Sequence, residues 1–192
     1  KPYSGRLPAA FDGFRIAQVS DFHNTGSSRL RNSIISSLKA EKPDIIVLTG
    51  DFIDSRHTDV DGAMDFIQSI RDIAPIYFAA GNHESRLEEY PQIKKRLAEN
   101  GVAVLDNKTV LLEKDGCFIN LIGIESPGLS SAPAIGEMAA GIAADSIRAV
   151  FITHEHSDHI SALRVFTKKY RVPVYAARSA AAPHALAAHR EP

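Results

Sequence analysis

Three apolar runs, Phe14 to Val19, Ile45 to Thr49 and Ile76 to Ala80, recur through the first 80 positions. Each is continuous enough for a strand buried on both faces, as in a parallel sheet whose two sides are covered. Between them the period changes to that of a helix. Leu30 to Ala40 puts Leu30, Ile34, Ile35 and Leu38 on one face, and Ala63 to Ile73 does the same with Met64, Ile67 and Ile70. The order βαβαβ predicts an α/β protein with right-handed crossovers. A third helix is expected from near Pro91, a residue suited to a first helical position, to the stop signal Asn100-Gly101.

The pattern then turns antiparallel. Val110 to Glu113 and Phe118 to Ile124 flank Lys114-Asp115-Gly116, and Asp-Gly between two apolar runs predicts a hairpin added to the parallel part. After Pro127 comes a stretch rich in Ala, Gly and Ser. A strand at Ala149 to Thr153, a helix from Ile160 to Tyr170, a strand around Val172 to Ala176 and a weakly packed Ala-rich helix from Ser179 to His189 are expected beyond it. No internal repeat is present.

Composition narrows the functional classes. The chain has 192 residues, 44% of them hydrophobic, which is enough for a real core in one domain or one and a half. Lys plus Arg number 22 against 23 Asp plus Glu, with no long basic run, so no nucleic-acid signature is present and nothing points to an anionic membrane. The single cysteine, Cys117, excludes an internal disulfide and a thiolate cluster, and is expected to face into the hairpin as a small apolar residue. No apolar stretch reaches the roughly 18 to 20 residues that span a bilayer, and the N-terminus lacks the apolar core of a signal peptide. Compartment stays open. The chain starts at Lys1 without a methionine, so a segment upstream is expected to have been removed.

Ligand-capable residues follow each early strand. Asp21 and His23 come directly after the first, and in extended chain a spacing of two projects both to one side. The second ends in Gly50-Asp51 and the third in Gly81-Asn82-His83-Glu84. Carboxyl ends of parallel strands are where open α/β sheets place their sites. Carboxylate and imidazole together favour a borderline metal, Zn, Mn or Fe, over Ca or Mg.

Asp21-Phe22-His23, Gly50-Asp51 and Gly81-Asn82-His83-Glu84, in this order and with βα units between, resemble the calcineurin-like metallophosphoesterases over residues 11 to 127. The resemblance implies a layered α/β/β/α sandwich and two divalent transition metal ions. Asp21 and His23 would bind the first metal and Asp51 would bridge both. Asn82 would bind the second while contacting the substrate phosphate, with His83 beside the leaving group. A protonated His83 would help expel an alkoxide; the alternative is that it orients a ligand. Glu84 is expected to cap the next segment or hydrogen-bond a ligand histidine rather than bind metal. His57 either faces the substrate or is a solvated loop residue, and Asp54, Arg56, Asp59 and Asp61 read as loop solvation and caps.

The resemblance breaks downstream. His154 follows its strand and matches a fifth ligand position, but the Gly-His-x-His segment the family expects is missing. Instead His154-Glu155-His156-Ser157-Asp158-His159 resembles the His-x-His-x-Asp-His signature of the metallo-β-lactamase fold over residues 128 to 192. There His154 and His156 would hold one zinc, and Asp158 and His159 the other. That family's later ligands are missing too. The expected organisation is therefore residues 1–127 as the phosphoesterase-like part and residues 128–192 as a segment packed on or completing the same domain, with the sandwich incomplete at its C-terminus.

Three functions compete on this reading. The first is a dinuclear phosphoesterase acting on a phosphate mono- or diester, with His154 and His156 standing in for the missing ligands. The second is a metallo-β-lactamase-fold hydrolase, and the third a metal-binding protein without catalysis. The expected partner is the phosphate-ester substrate and the expected state a monomer. Proteins resembling the N-terminal half are often membrane-anchored, with Leu7 to Gly13 following the anchor; membrane association here would need an anchor this chain lacks.

Overall fold

Strands β1 (Ile16–Val19), β2 (Ile45–Thr49), β3 (Ile76–Ala79) and β4 (Val102–Val104) run parallel in one sheet, ordered as in the sequence. A computed structural model of the chain describes residues 8–123, 150–152 and 174–176. Helices α1 (Ser28–Glu41), α2 (Val60–Ile70) and α3 (Tyr90–Glu99) form the crossovers. The α/β expectation stands, and β4 is a strand the sequence reading missed. Val102-Ala103-Val104 is too short to show a period, and its pairing with β3 makes it a strand.

Alternation along the strands separates two layers. Ile46 and Leu48 of β2, with Ile76 and Phe78 of β3, join Leu38, Met64, Phe66, Ile67, Ile70, Ile93 and Leu97 from the helices in the larger core. Each such buried side chain contributes about 1.5–3 kcal/mol of transfer free energy. On the opposite face Ile45 and Val47 meet Phe11 and Leu112, with Tyr77, Val110, Ile119 and Leu121 packed around them. Leu112 lies on β5 (Lys108–Lys114), which pairs antiparallel with β6 (Cys117–Gly123) around Asp115-Gly116. The hairpin is therefore where the Asp-Gly signal put it. It forms its own two-stranded sheet stacked on the first, giving helices, parallel sheet and hairpin as three successive layers.

Local signals explain the boundaries. Ser27 caps α1 by accepting the Leu30 N–H at 3.3 Å, and Asp59 caps α2 by accepting from Gly62 at 2.8 Å. The Asp59 cap starts α2 at Val60, ahead of the expected Ala63. Only β2 is buried along nearly its whole length; β1, at the sheet edge, is half-buried throughout. Leu30, expected on the core face of α1, is exposed, one turn before the residues that reach the core. Cys117 is partly buried against the smaller core, as expected of a small apolar residue.

Two compact units divide the chain after Ser126. The first holds β1 to β6. In the second, β7 (Val150–Ile152) and β8 (Val174–Ala176) pair in parallel, within the two strands expected there. The helices expected at 160–170 and 179–189 lie outside the described residues. Among the described residues no helix is long and apolar enough to cross a membrane.

Candidate metal centre

The loops that leave β1 and β2 stay tied together by backbone. Asp21 N–H donates to the Gly50 carbonyl at 3.3 Å, His23 N–H to that of Asp51 at 3.0 Å and Asn24 N–H to that of Phe52 at 3.1 Å. Between these ties Phe22 turns into the larger core, its ring 5.0 Å from that of Phe52 and 4.3 Å from that of Phe66. The apolar residues anchor the loops inward and leave the polar ones at the sheet's edge. Asp21, His23, Asn24 and Asp51 all have positive φ, between 46° and 54°. The expectation of extended chain at Asp21 and His23 is thus corrected: both are left-handed, a conformation that persists where surrounding structure enforces it and that clusters at functional sites.

Ligand atoms of His23, Asp51 and His83 all lie within 4.8 Å of one another, with Asp51 buried and the two histidines half-buried. The histidine rings meet edge to face at 4.6 Å between centroids. The Asn82 amide end lies 3.2 and 3.1 Å from the two oxygens of Asp51. Turned one way its nitrogen donates to both; turned the other, three oxygens converge as a cation requires. Asp21 is exposed, accepts the Ser20 hydroxyl at 2.6 Å and stands 4.0 Å from His23 Nε2, at the rim of the triplet. Among the described residues Nδ1 of His23 is buried without a hydrogen-bond partner, the kind of orphan ring nitrogen that a divalent transition metal takes up. Imidazole, carboxylate and amide oxygen suit Zn, Mn or Fe, so the residues present fit the expected metals.

Close backbone approach makes this convergence possible. A Cβ on Gly50, whose φ is +85°, would fall 2.8 Å from Gly81 Cα, and one on Gly81 would fall 2.2 Å from Asp51 Oδ1. Both glycines are needed for the β2 and β3 loops to touch. Glu84 closes the gap from below. Fully buried, it accepts the N–H groups of Asp51 at 3.0 Å, Ile53 at 2.7 Å and Gly81 at 2.8 Å. Burial pushes its pKa up, with the Asp51 charge adding to it and the N–H groups of Ile53, Gly81 and Glu84 itself opposing. The expectation that it caps the next segment or bonds a ligand histidine is corrected by these partners, which lie mostly on another loop.

His83 has an orienter that sequence reasoning passed over. Its Nδ1 accepts the Ser55 N–H at 3.0 Å and lies 3.3 Å from Asp54 Oδ1, leaving Nε2 for other partners. The Arg56 N–H holds the Asp54 carboxyl below the usual carboxylate range, with burial opposing and the His83 charge adding to it. The sequence pattern reads the polar loop after β2 as solvation, and the hint lies only in an acid three residues beyond Asp51. His57 is exposed and its carbonyl accepts from Asn24 at 3.1 Å; Asp61 pairs with Arg96 at 2.7 Å. His154, His156, Asp158 and His159 lie outside the described residues.

A layered α/β sheet presenting an imidazole and carboxylate cluster at its carboxyl edge defines a candidate metal-binding scaffold. The family model for calcineurin-like phosphoesterase matches residues 14–158, and the chain belongs to that family. An uncharacterized metallophosphoesterase of Bacillus subtilis, YkoQ, is 32% identical over 114 residues, 57% of this chain and 42% of that protein. A transmembrane protein with metallophosphoesterase domain from Danio rerio is 29% identical over 126 residues, 62% of this chain and 29% of that protein. A second Bacillus subtilis metallophosphoesterase, YkuE, is 42% identical over 57 residues. The chain spans less than half the length of these curated relatives.

Proposed function

We propose that the chain hydrolyses phosphate mono- or diesters at a dinuclear centre built on Asp51. The observation that carries this reading is the convergence of His23, Asp51 and His83 within 4.8 Å, with the Asn82 amide against Asp51. Two divalent ions sharing a carboxylate lower the pKa of a bridging water and clamp phosphoryl oxygens. Asp51, between the loops of β1 and β3, is the residue suited to be shared. Asp21 and His23 would complete one side and Asn82 the other, with Asn82 also orienting the phosphate. As the acid, His83 would be protonated on both nitrogens, its Nδ1–H directed at Asp54 in place of the Ser55 contact, and would give its Nε2 proton to the departing alkoxide. On the same reading His154 and His156 would stand in for the family's missing ligands.

The test is hydrolysis of p-nitrophenyl phosphate and bis-p-nitrophenyl phosphate by the full chain with Mn, Fe or Zn. Metal-dependent turnover lost in Asp51→Ala is the expected result. Metal uptake without turnover on either substrate would leave a metal-binding protein instead.

A further inference from the structure

Glu84 is a fully buried carboxylate with no side-chain cation pairing it among the described residues. Burying such a group is costly unless hydrogen bonds offset the loss of water, and here three backbone N–H groups do so. Their distribution is informative. Oε2 takes the N–H of Asp51 at 3.0 Å and that of Gly81 at 2.8 Å, so one oxygen joins the residue shared by the two loops to the residue preceding Asn82. Oε1 takes the Ile53 N–H at 2.7 Å, fixing the β2 loop on the far side of Asp51. Asp51 itself is held at φ +49°. A non-glycine residue there costs energy and relaxes unless its neighbours hold it.

We infer that Glu84 is a positioning residue of the metal centre, setting the Asp51 carboxylate against Asn82 and His83 through the backbone rather than touching metal. The inference rests on the metallophosphoesterase reading. Its consequence is that Glu84 acts on metal affinity beyond any effect on folding. A helix cap would not do this. Glutamine has one acceptor oxygen, so Glu84→Gln keeps either the Asp51 and Gly81 pair or the Ile53 bond; Glu84→Asp keeps the charge one methylene short of all three.

The test measures Mn affinity by titration calorimetry on the full chain, wild type against Glu84→Gln, Glu84→Asp and Ile70→Val. Ile70 is a core residue at the far end of α2 and controls for lost stability. The expected result is affinity about 10- to 100-fold weaker in both Glu84 variants and unchanged in Ile70→Val. Affinity at the wild-type level in Glu84→Gln and Glu84→Asp, or an equal loss in Ile70→Val, overturns the positioning role alone. Wild-type protein that takes up none of Mn, Fe or Zn overturns the phosphoesterase reading and this inference with it. Hydrogen exchange on the wild type covers the case in which the variants do not fold. Slow exchange of the Asp51, Ile53 and Gly81 amides in metal-free protein is expected, and exchange at the rate of free loop amides overturns the role.

Discussion

The backbone N–H of His83 donates to Oδ1 of Asp51 at 3.1 Å, across 32 positions of sequence. One carboxylate oxygen is thereby committed to holding the third loop in place, while the group as a whole faces His23 and Asn82. Asp51 is therefore both a ligand-type group and a fastener of the site.

Asp51→Ala is expected to weaken Mn binding by more than about 100-fold, beyond the usual loss for an outer-shell residue. Elemental analysis of protein loaded with Mn, Fe or Zn, together with calorimetry, measures it. Equal metal in variant and wild type would remove Asp51 from the centre.

His83→Ala separates acid from ligand. As the acid, its loss should slow alkyl phosphates by about 100- to 10,000-fold and p-nitrophenyl esters far less, because a good leaving group needs little protonation. As a ligand, which its place in the triplet permits, its loss should lower metal content and slow both substrates alike. Steady-state rates on the two substrates, with metal content measured alongside, distinguish the roles.

Gly81→Ala places a Cβ 2.2 Å from Asp51 Oδ1 and must push the β2 and β3 loops apart. A destabilisation of about 1–3 kcal/mol is expected by urea denaturation, in the range of overpacking. Metal binding should fall with it. An unchanged midpoint would mean that the loops do not touch as described.

The hairpin gives a parity test. Leu112→Ala should cost about 2–5 kcal/mol as a buried apolar truncation, since Leu112 lies in the smaller core. Leu111→Ala, one residue earlier and exposed, should stay within about 0.5 kcal/mol. Comparable losses at the two positions would place the hairpin in another register.

His154 tests the seam between the two resemblances. On the phosphoesterase reading His154→Ala should lower metal content, while Asp158→Ala should leave metal content unchanged and cost only modest stability. Metal lost at Asp158 and retained at Asp51 would reverse the assignment of the centre.

Among the described residues, apolar periodicity and turn residues were enough to place β1 to β3, the helices α1 to α3, the hairpin and the strand ends carrying Asp21, His23, Asp51, Asn82 and His83. Those signals are local. A buried strand must be apolar, an Asp-Gly turn needs positive φ, and a ligand at a strand end stands beside the residues that form the strand. Tertiary structure decided what no local window contains. Val102 to Val104 became a strand through pairing with β3, and the hairpin became a separate layer because Leu112 found Ile45 and Val47. The left-handed backbone at Asp21, His23 and Asp51 is enforced by ties between loops. Glu84 shows the division most sharply: an acid after a histidine suggests a cap, yet two of its three donors, Asp51 and Ile53, lie 33 and 31 positions away. A buried carboxylate takes its role from whichever donors the fold brings to it, and chain separation carries no record of that meeting.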